Sequence, residues 1–93
     1  MKKVLVLGAP SWCAACRAID PMVKEMKNLY KEKVEIEIID VDLSPEYLTT
    51  DKYHIQSLPS LIFRNGEDIV EIHKGPLTKS VMKQKLDSLI AAK

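Results

Sequence analysis

At 93 residues the chain is long enough for one domain with a single hydrophobic core and too short for two, so one domain is expected over residues 1–93. Apolar residues make up 46% and charged residues 29%, the balance of a soluble globular protein. A formal net charge of +1 offers no electrostatic footprint for nucleic acid or an anionic membrane, and no run approaches the ~20 apolar residues of a membrane span.

Met1-Lys2-Lys3 followed by Val4 to Ala9 has the outline of a secretory signal, and Cys13-Ala14-Ala15-Cys16 faintly that of a lipoprotein cleavage box. The apolar run is shorter than the roughly 7–15 residues of a signal core, and Pro10-Ser11-Trp12 interrupts it. Lys3 to Leu7 reads instead as a short, continuously apolar strand covered on both faces. The expected location is the cytoplasm, where an isolated Cys pair points to catalysis or metal binding rather than to a structural crosslink.

Gly8-Ala9-Pro10-Ser11 turns the chain into a long amphipathic helix from Cys13 to about Lys31, with Ile19, Val23, Met26 and Tyr30 at helical spacing. Pro21 falls inside it and cannot donate to the carbonyl of Arg17, which predicts a kink. Val34 to Ile38 alternates with period two and runs on through Ile39-Asp40-Val41 as a second strand. Ser44-Pro45-Glu46 has the form of a helix start, giving a short helix to about Tyr53. Ser60 to Arg64 and Asp68 to His73 are two strands joined at Asn65-Gly66, where both residues tolerate positive φ. Thr78 caps a final helix with the stripe Val81-Met82, Leu86, Leu89-Ile90, and Met22, Met26 and Met82 read as core filler. The order is β-α-β-α-β-β-α. It predicts an α/β fold with a parallel first pair of strands, a mixed four-stranded sheet and helices on both faces.

The chain's only two cysteines, Cys13 and Cys16, then lie where the first strand ends and the first helix begins. Open α/β sheets place their active sites at that carboxyl edge. Unpaired N–H groups and the dipole at a helix N-terminus stabilise an anion, and the reactive form of cysteine is the thiolate. Cys16 lies one turn on, within reach of the first sulfur. Such a pair is suited to opening and closing one disulfide.

Trp12-Cys13-Ala14-Ala15-Cys16, Pro21 five residues past the second Cys, Ser57-Leu58-Pro59-Ser60, Phe63-Arg64-Asn65-Gly66-Glu67 and Lys74-Gly75 occur in order over nearly the whole chain. Together they make it resemble the thioredoxin family. The resemblance implies that Cys13 is the exposed nucleophile and Cys16 the buried resolving thiol. It implies that Pro59 is a cis-proline facing them and that the backbone of Leu58 pairs with an extended substrate segment. Trp12 and Gly75 would border the substrate groove.

Three features depart from the family pattern. Leu7 replaces the buried acid usual six residues before the first Cys, Ile38 stands where a lysine is common, and Ala14-Ala15 replaces Gly-Pro between the cysteines. The family's usual opening strand and helix have no counterpart ahead of Lys3, which resembles a minimal version nearer glutaredoxins in size. The glutathione-holding features of glutaredoxins are poor. Gly75 stands alone where a Gly pair is typical, and Thr78 lies where an acid is expected.

The implied chemistry is thiol–disulfide exchange. A thiol with a pKa near 8.5 is about 3% ionised at pH 7, and a fall to about 7 raises this to roughly half. Arg17 could add positive potential or simply face solvent. Leu7 in place of an acid should favour the Cys13 thiolate by removing a repelling charge, and should slow Cys16 by removing a proton acceptor. Asp20, four residues past Cys16, is a candidate substitute, against the ordinary reading of a solvated helix acid.

A purely structural disulfide here would close too small a loop to constrain the unfolded chain much. Zinc would need further ligands, and His54 and His73 lack finger-type spacing. The expected function is a thiol–disulfide oxidoreductase that reduces protein disulfides as a monomer and is recharged by a thioredoxin-reductase-like donor. It would need no bound organic cofactor or metal, its redox group being the Cys13–Cys16 pair. The alternatives are a disulfide oxidant or isomerase, and a binding module of the same fold without redox turnover.

Overall fold

A computed structural model describes residues 2–46 and 57–92. Strand β1 (Lys2–Gly8) leads into helix α1 (Ala14–Leu29), then strands β2 (Glu35–Asp40), β3 (Ser60–Asn65) and β4 (Asp68–Lys74), and finally helix α2 (Lys79–Ala91). The strands form one mixed sheet in the order β2-β1-β3-β4. β1 runs parallel to β2 and antiparallel to β3, and β3 pairs antiparallel with β4.

β1 has a neighbour on each side, and its side chains alternate between two apolar clusters, so all of Val4 to Leu7 is buried. Val4 and Val6 join Ile36, Leu61 and Phe63 beneath Ile19, Val23 and Met26 of α1 and Met82, Leu86 and Leu89 of α2. The opposite face carries Leu5, Leu7, Ile39 and Ile62 and runs up to Cys13 and Cys16. The two described helices thus share one face. The short helix expected up to Tyr53 falls mostly on residues outside the described ones, as does His54.

Helix α1 runs without interruption through Pro21, whose side chain is exposed. β2 keeps its alternation only as far as Glu37. Ile38 is then partly exposed and Ile39 buried. The hairpin turn lies one residue later than the sequence suggests, because Asn65 still pairs with Asp68, and the loop is Gly66-Glu67 with Gly66 at φ 64°. Phe63 pairs with Glu71 but Arg64 with Ile69, leaving Val70 as an extra, half-exposed residue in the edge strand.

Thr78 caps α2 as its sequence suggests, with its side chain accepting the Val81 N–H at 3.2 Å. At the far end, Lys2 Nζ donates to the carbonyls of Ile90 (2.5 Å) and Ala92 (2.6 Å), tying the start of β1 to the end of α2. Among the described residues no helix is long and apolar enough to cross a membrane.

Candidate active site

The site begins where β1 ends. A Cβ on Gly8 would stand 3.3 Å from both the Cβ and the Sγ of Cys16, so the missing side chain is what lets the second cysteine close on the strand. Gly8 also accepts the Val41 N–H at 2.9 Å, which draws the segment after β2 to the same edge. Ala9 then turns the chain, its carbonyl accepting the N–H groups of Trp12 (3.1 Å) and Cys13 (2.8 Å).

Cys13 is the N-cap of α1. Its backbone is extended, and its Sγ accepts the N–H of Cys16 at 3.1 Å. Sulfur here takes the place that a Ser or Asp oxygen usually fills, so one of the helix's unpaired donors points at it. The first turn of α1 carries no acidic side chain to oppose a negative sulfur. Arg17 is exposed and donates through Nη1 to the Pro10 carbonyl at 2.5 Å, bracing the turn ahead of the cysteines.

Cys13 and Cys16 are joined as a disulfide, with their Cα atoms 5.2 Å apart. Their exposures are 8% and 7%, so an exposed nucleophile above a buried partner is not seen in this oxidised form. Bonding, not exposure, distinguishes them. Cys13 faces the helix N–H, whereas Cys16 faces Gly8 and the cavity beneath.

Trp12 is 62% exposed beside them. Its Nε1 donates to Asp42 Oδ1 at 3.2 Å, and Ser11 Oγ donates to Asp42 Oδ2 at 2.7 Å, so one carboxylate holds both residues ahead of Cys13. The Asp42 N–H in turn donates to Asp40 Oδ1 at 2.9 Å, and the Asp40 carbonyl accepts from Leu43 and Ser44. Sequence reasoning missed Asp42 because Trp12 lies thirty residues away in the chain. The only available signal was an acid just past the end of a strand parallel to β1.

On the other side, the Leu58–Pro59 bond is cis and Pro59 is buried. The Pro59 carbonyl accepts the Gly75 N–H at 2.7 Å, and Gly75 has φ 95°, a left-handed conformation that favours glycine. Leu58 packs half-buried against the cluster holding both cysteines. The structure therefore brings Trp12, Leu58, Pro59 and Gly75 to the sheet edge where Cys13 and Cys16 lie. His73 and Thr78 serve locally, His73 Nε2 lying 3.4 Å from the Pro76 carbonyl and Thr78 capping α2.

A cavity of about 120 Å³ lies beside Cys16, between α1 and the β1–β2 pair. Its walls include Leu7, Ile19, Val23, Ile38 and Pro59, and among the described residues its ionisable side chains besides the cysteine are Asp20 and Asp40. Both departures from the family's charged pair, Leu7 and Ile38, are thus on this wall. Among the described residues, no group of three or more His, Cys, Asp or Glu side chains is arranged to hold a metal ion.

A mixed sheet with a Cys-x-x-Cys disulfide at the start of the helix after its central strand defines a thiol–disulfide oxidoreductase. The chain matches the Thioredoxin family over residues 1–88. Thioredoxin 2 of Chlorobaculum tepidum is 32% identical to it, the alignment covering 96% of this chain and 80% of that protein. Thioredoxin C-2 of Corynebacterium nephridii is 39% identical over 73% of this chain and 62% of that protein. A thioredoxin of Synechocystis is 30% identical over 94% and 79%. The chain belongs to the thioredoxin family, and membership carries disulfide oxidoreductase activity through the Cys13–Cys16 pair. In general terms it also implies protein disulfide substrates and a reductase partner.

Proposed function

We propose that this protein works as a single-domain, monomeric cytoplasmic reductant of protein disulfides, using the Cys13–Cys16 dithiol as its only redox group. The observation that carries the reading is the N-cap position of Cys13, whose sulfur accepts the Cys16 N–H. A sulfur placed there is stabilised as thiolate by the helix terminus.

In the reducing direction, the Cys13 thiolate attacks one sulfur of a substrate disulfide, forming the mixed disulfide and expelling the other sulfur as thiolate. Cys16 then loses its proton and attacks Cys13 Sγ. The Cys13–substrate bond breaks, the second substrate sulfur leaves with the electron pair, and the Cys13–Cys16 disulfide remains. A thioredoxin-reductase-like donor returns two electrons to reset the pair. An extended substrate segment would lie along the backbone of Leu58 and Pro59, flanked by Trp12 and Gly75. The exposure of the indole and its anchoring by Asp42 support that role.

The test is the fraction of Cys13–Cys16 disulfide after equilibration across a series of thiol redox buffers. A reversible two-electron transition at strongly reducing potential supports the reductant. A midpoint well toward the oxidising end assigns the protein to oxidation or isomerisation instead. A pair that does not cycle leaves a binding module of the same fold.

A further inference from the structure

We propose that Asp20 is the proton acceptor for Cys16, working through the cavity that the two side chains share. This rests on the exchange chemistry proposed above. To attack Cys13 Sγ, the Cys16 thiol must give up its proton while nearly buried, at 7% exposure. The surroundings of that sulfur are largely apolar. Leu7 is fully buried beside it, and Ile19, Val23 and Ile38 line the same space. Among the described residues, the carboxylates on the cavity wall are Asp20 and Asp40.

The two acids are not equivalent. Asp40 Oδ1 accepts the Asp42 N–H at 2.9 Å, so that carboxylate is committed to the turn that also positions Asp42. Asp20 lies four residues past Cys16 on α1, which puts the two on one helix face with Cβ atoms about 5–6 Å apart. Its Oδ2 pairs with Lys24 Nζ at 2.8 Å, a partly exposed contact that leaves the other carboxylate oxygen uncommitted to that lysine. The cavity, about 120 Å³, is well above the ~10–15 Å³ that one water needs, so one water has room to carry the proton between the two. The proton moves from Cys16 Sγ to the Asp20 carboxylate, the thiolate closes on Cys13 Sγ, and the departing substrate thiolate takes up a proton from Asp20 or solvent. No further oxidant or reductant is required.

The test uses the reduced protein and the aromatic disulfide 5,5′-dithiobis(2-nitrobenzoate), which releases one coloured thiolate when Cys13 attacks and a second when Cys16 resolves the mixed disulfide. In Asp20→Asn the second release should slow about 10²-fold relative to the first, the scale of general-base catalysis. Its rate should then rise in proportion to hydroxide, whereas the parent rate should depend on hydroxide far less steeply. Among the described residues, Lys24 pairs with Asp20 and Asp40 lines the same cavity, so Asp40→Asn is run alongside, and Asp20→Glu should recover part of the rate. A second release unchanged in rate and pH profile in Asp20→Asn overturns the proposal. So does a slowing confined to Asp40→Asn. Absence of the first release in the parent protein instead overturns the redox reading itself.

Discussion

Replacing Gly8 by alanine probes how tightly the second cysteine is seated. The added methyl would stand 3.3 Å from both Cys16 Cβ and Sγ, inside the ~3.5–4.0 Å of a relaxed carbon contact. Cys16 cannot easily retreat, because it is fixed at one end by α1 and at the other by its bond to Cys13. Overpacking of this kind costs about 1–3 kcal/mol. Alanine recovers about 0.4–1 kcal/mol by restricting the unfolded chain. The net expectation is an oxidised protein destabilised by about 1 kcal/mol, a fall in Tm of roughly 4–8 °C for a domain of this size. In the dithiol form Cys16 can rotate to another staggered well, so the reduced protein should lose less. A difference of about 1 kcal/mol between the two forms would raise the midpoint potential by roughly 20 mV, since ~30 mV corresponds to ~1.4 kcal/mol for two electrons. Thermal unfolding of both forms, with a redox titration of the variant, measures each quantity. An oxidised variant as stable as its parent, with an unmoved midpoint, would show that Cys16 has slack and refute the reasoning.

Leu7→Asp introduces a carboxylate into a fully buried position next to the cysteines. It should lower stability by at least the ~2–5 kcal/mol of deleting a buried leucine and move the pH profile of Cys13 alkylation upward, with Leu7→Asn as the uncharged comparison. Identical alkylation profiles for the two variants would count against the charge argument. Asp42→Ala releases Trp12 and Ser11 together. Because Trp12 is the only tryptophan, its fluorescence should shift, while KM for a protein disulfide rises more than kcat falls. Unaltered emission would mean that the indole is held by something else. Stability should also decline at alkaline pH. Lys3 is raised above its usual 10.5 by hydrogen bonds to Glu35 and Glu37, and Tyr30 above its usual 10.0 by burial and its hydrogen bond to Asp87. Both folded values exceed the unfolded ones, so their stabilisation is complete below about pH 10 and is lost as pH rises through the folded values. Denaturant midpoints should therefore drop above pH 10 and drop less steeply in Tyr30→Phe; equal slopes would contradict the assignment.

Local chemistry made much of this legible. A short, β-branched apolar run closed by a Gly-Ala-Pro turn reads as a strand buried on both faces, and β1 is one. Thr78 precedes a helical stripe and is among the residue types favoured as an N-cap, and its hydroxyl caps α2. The turn at Gly66 shifted by one residue because Asn65 can end a strand as readily as open a loop, and pairing with Asp68 decided which. The exposures of Cys13 and Cys16 were not legible, since spacing places two sulfurs near each other but does not say what closes over them.

The sequence by itself determined the order of the described elements, the two sulfurs one turn apart at a helix start, and the loss of charge at Leu7 and Ile38. These depend on neighbours within a few residues, or on the residue alone. Only the tertiary structure decided that Asp42 would hold Trp12, that Gly8 would make room for Cys16, and that Asp20 and Asp40 would share a cavity with it. Apart from Asp20, which lies on the same helix as Cys16, each of those contacts crosses from one element to another, and parallel pairing of β1 with β2 sets which side chains meet. That register is a property of the packed sheet, not of any segment within it.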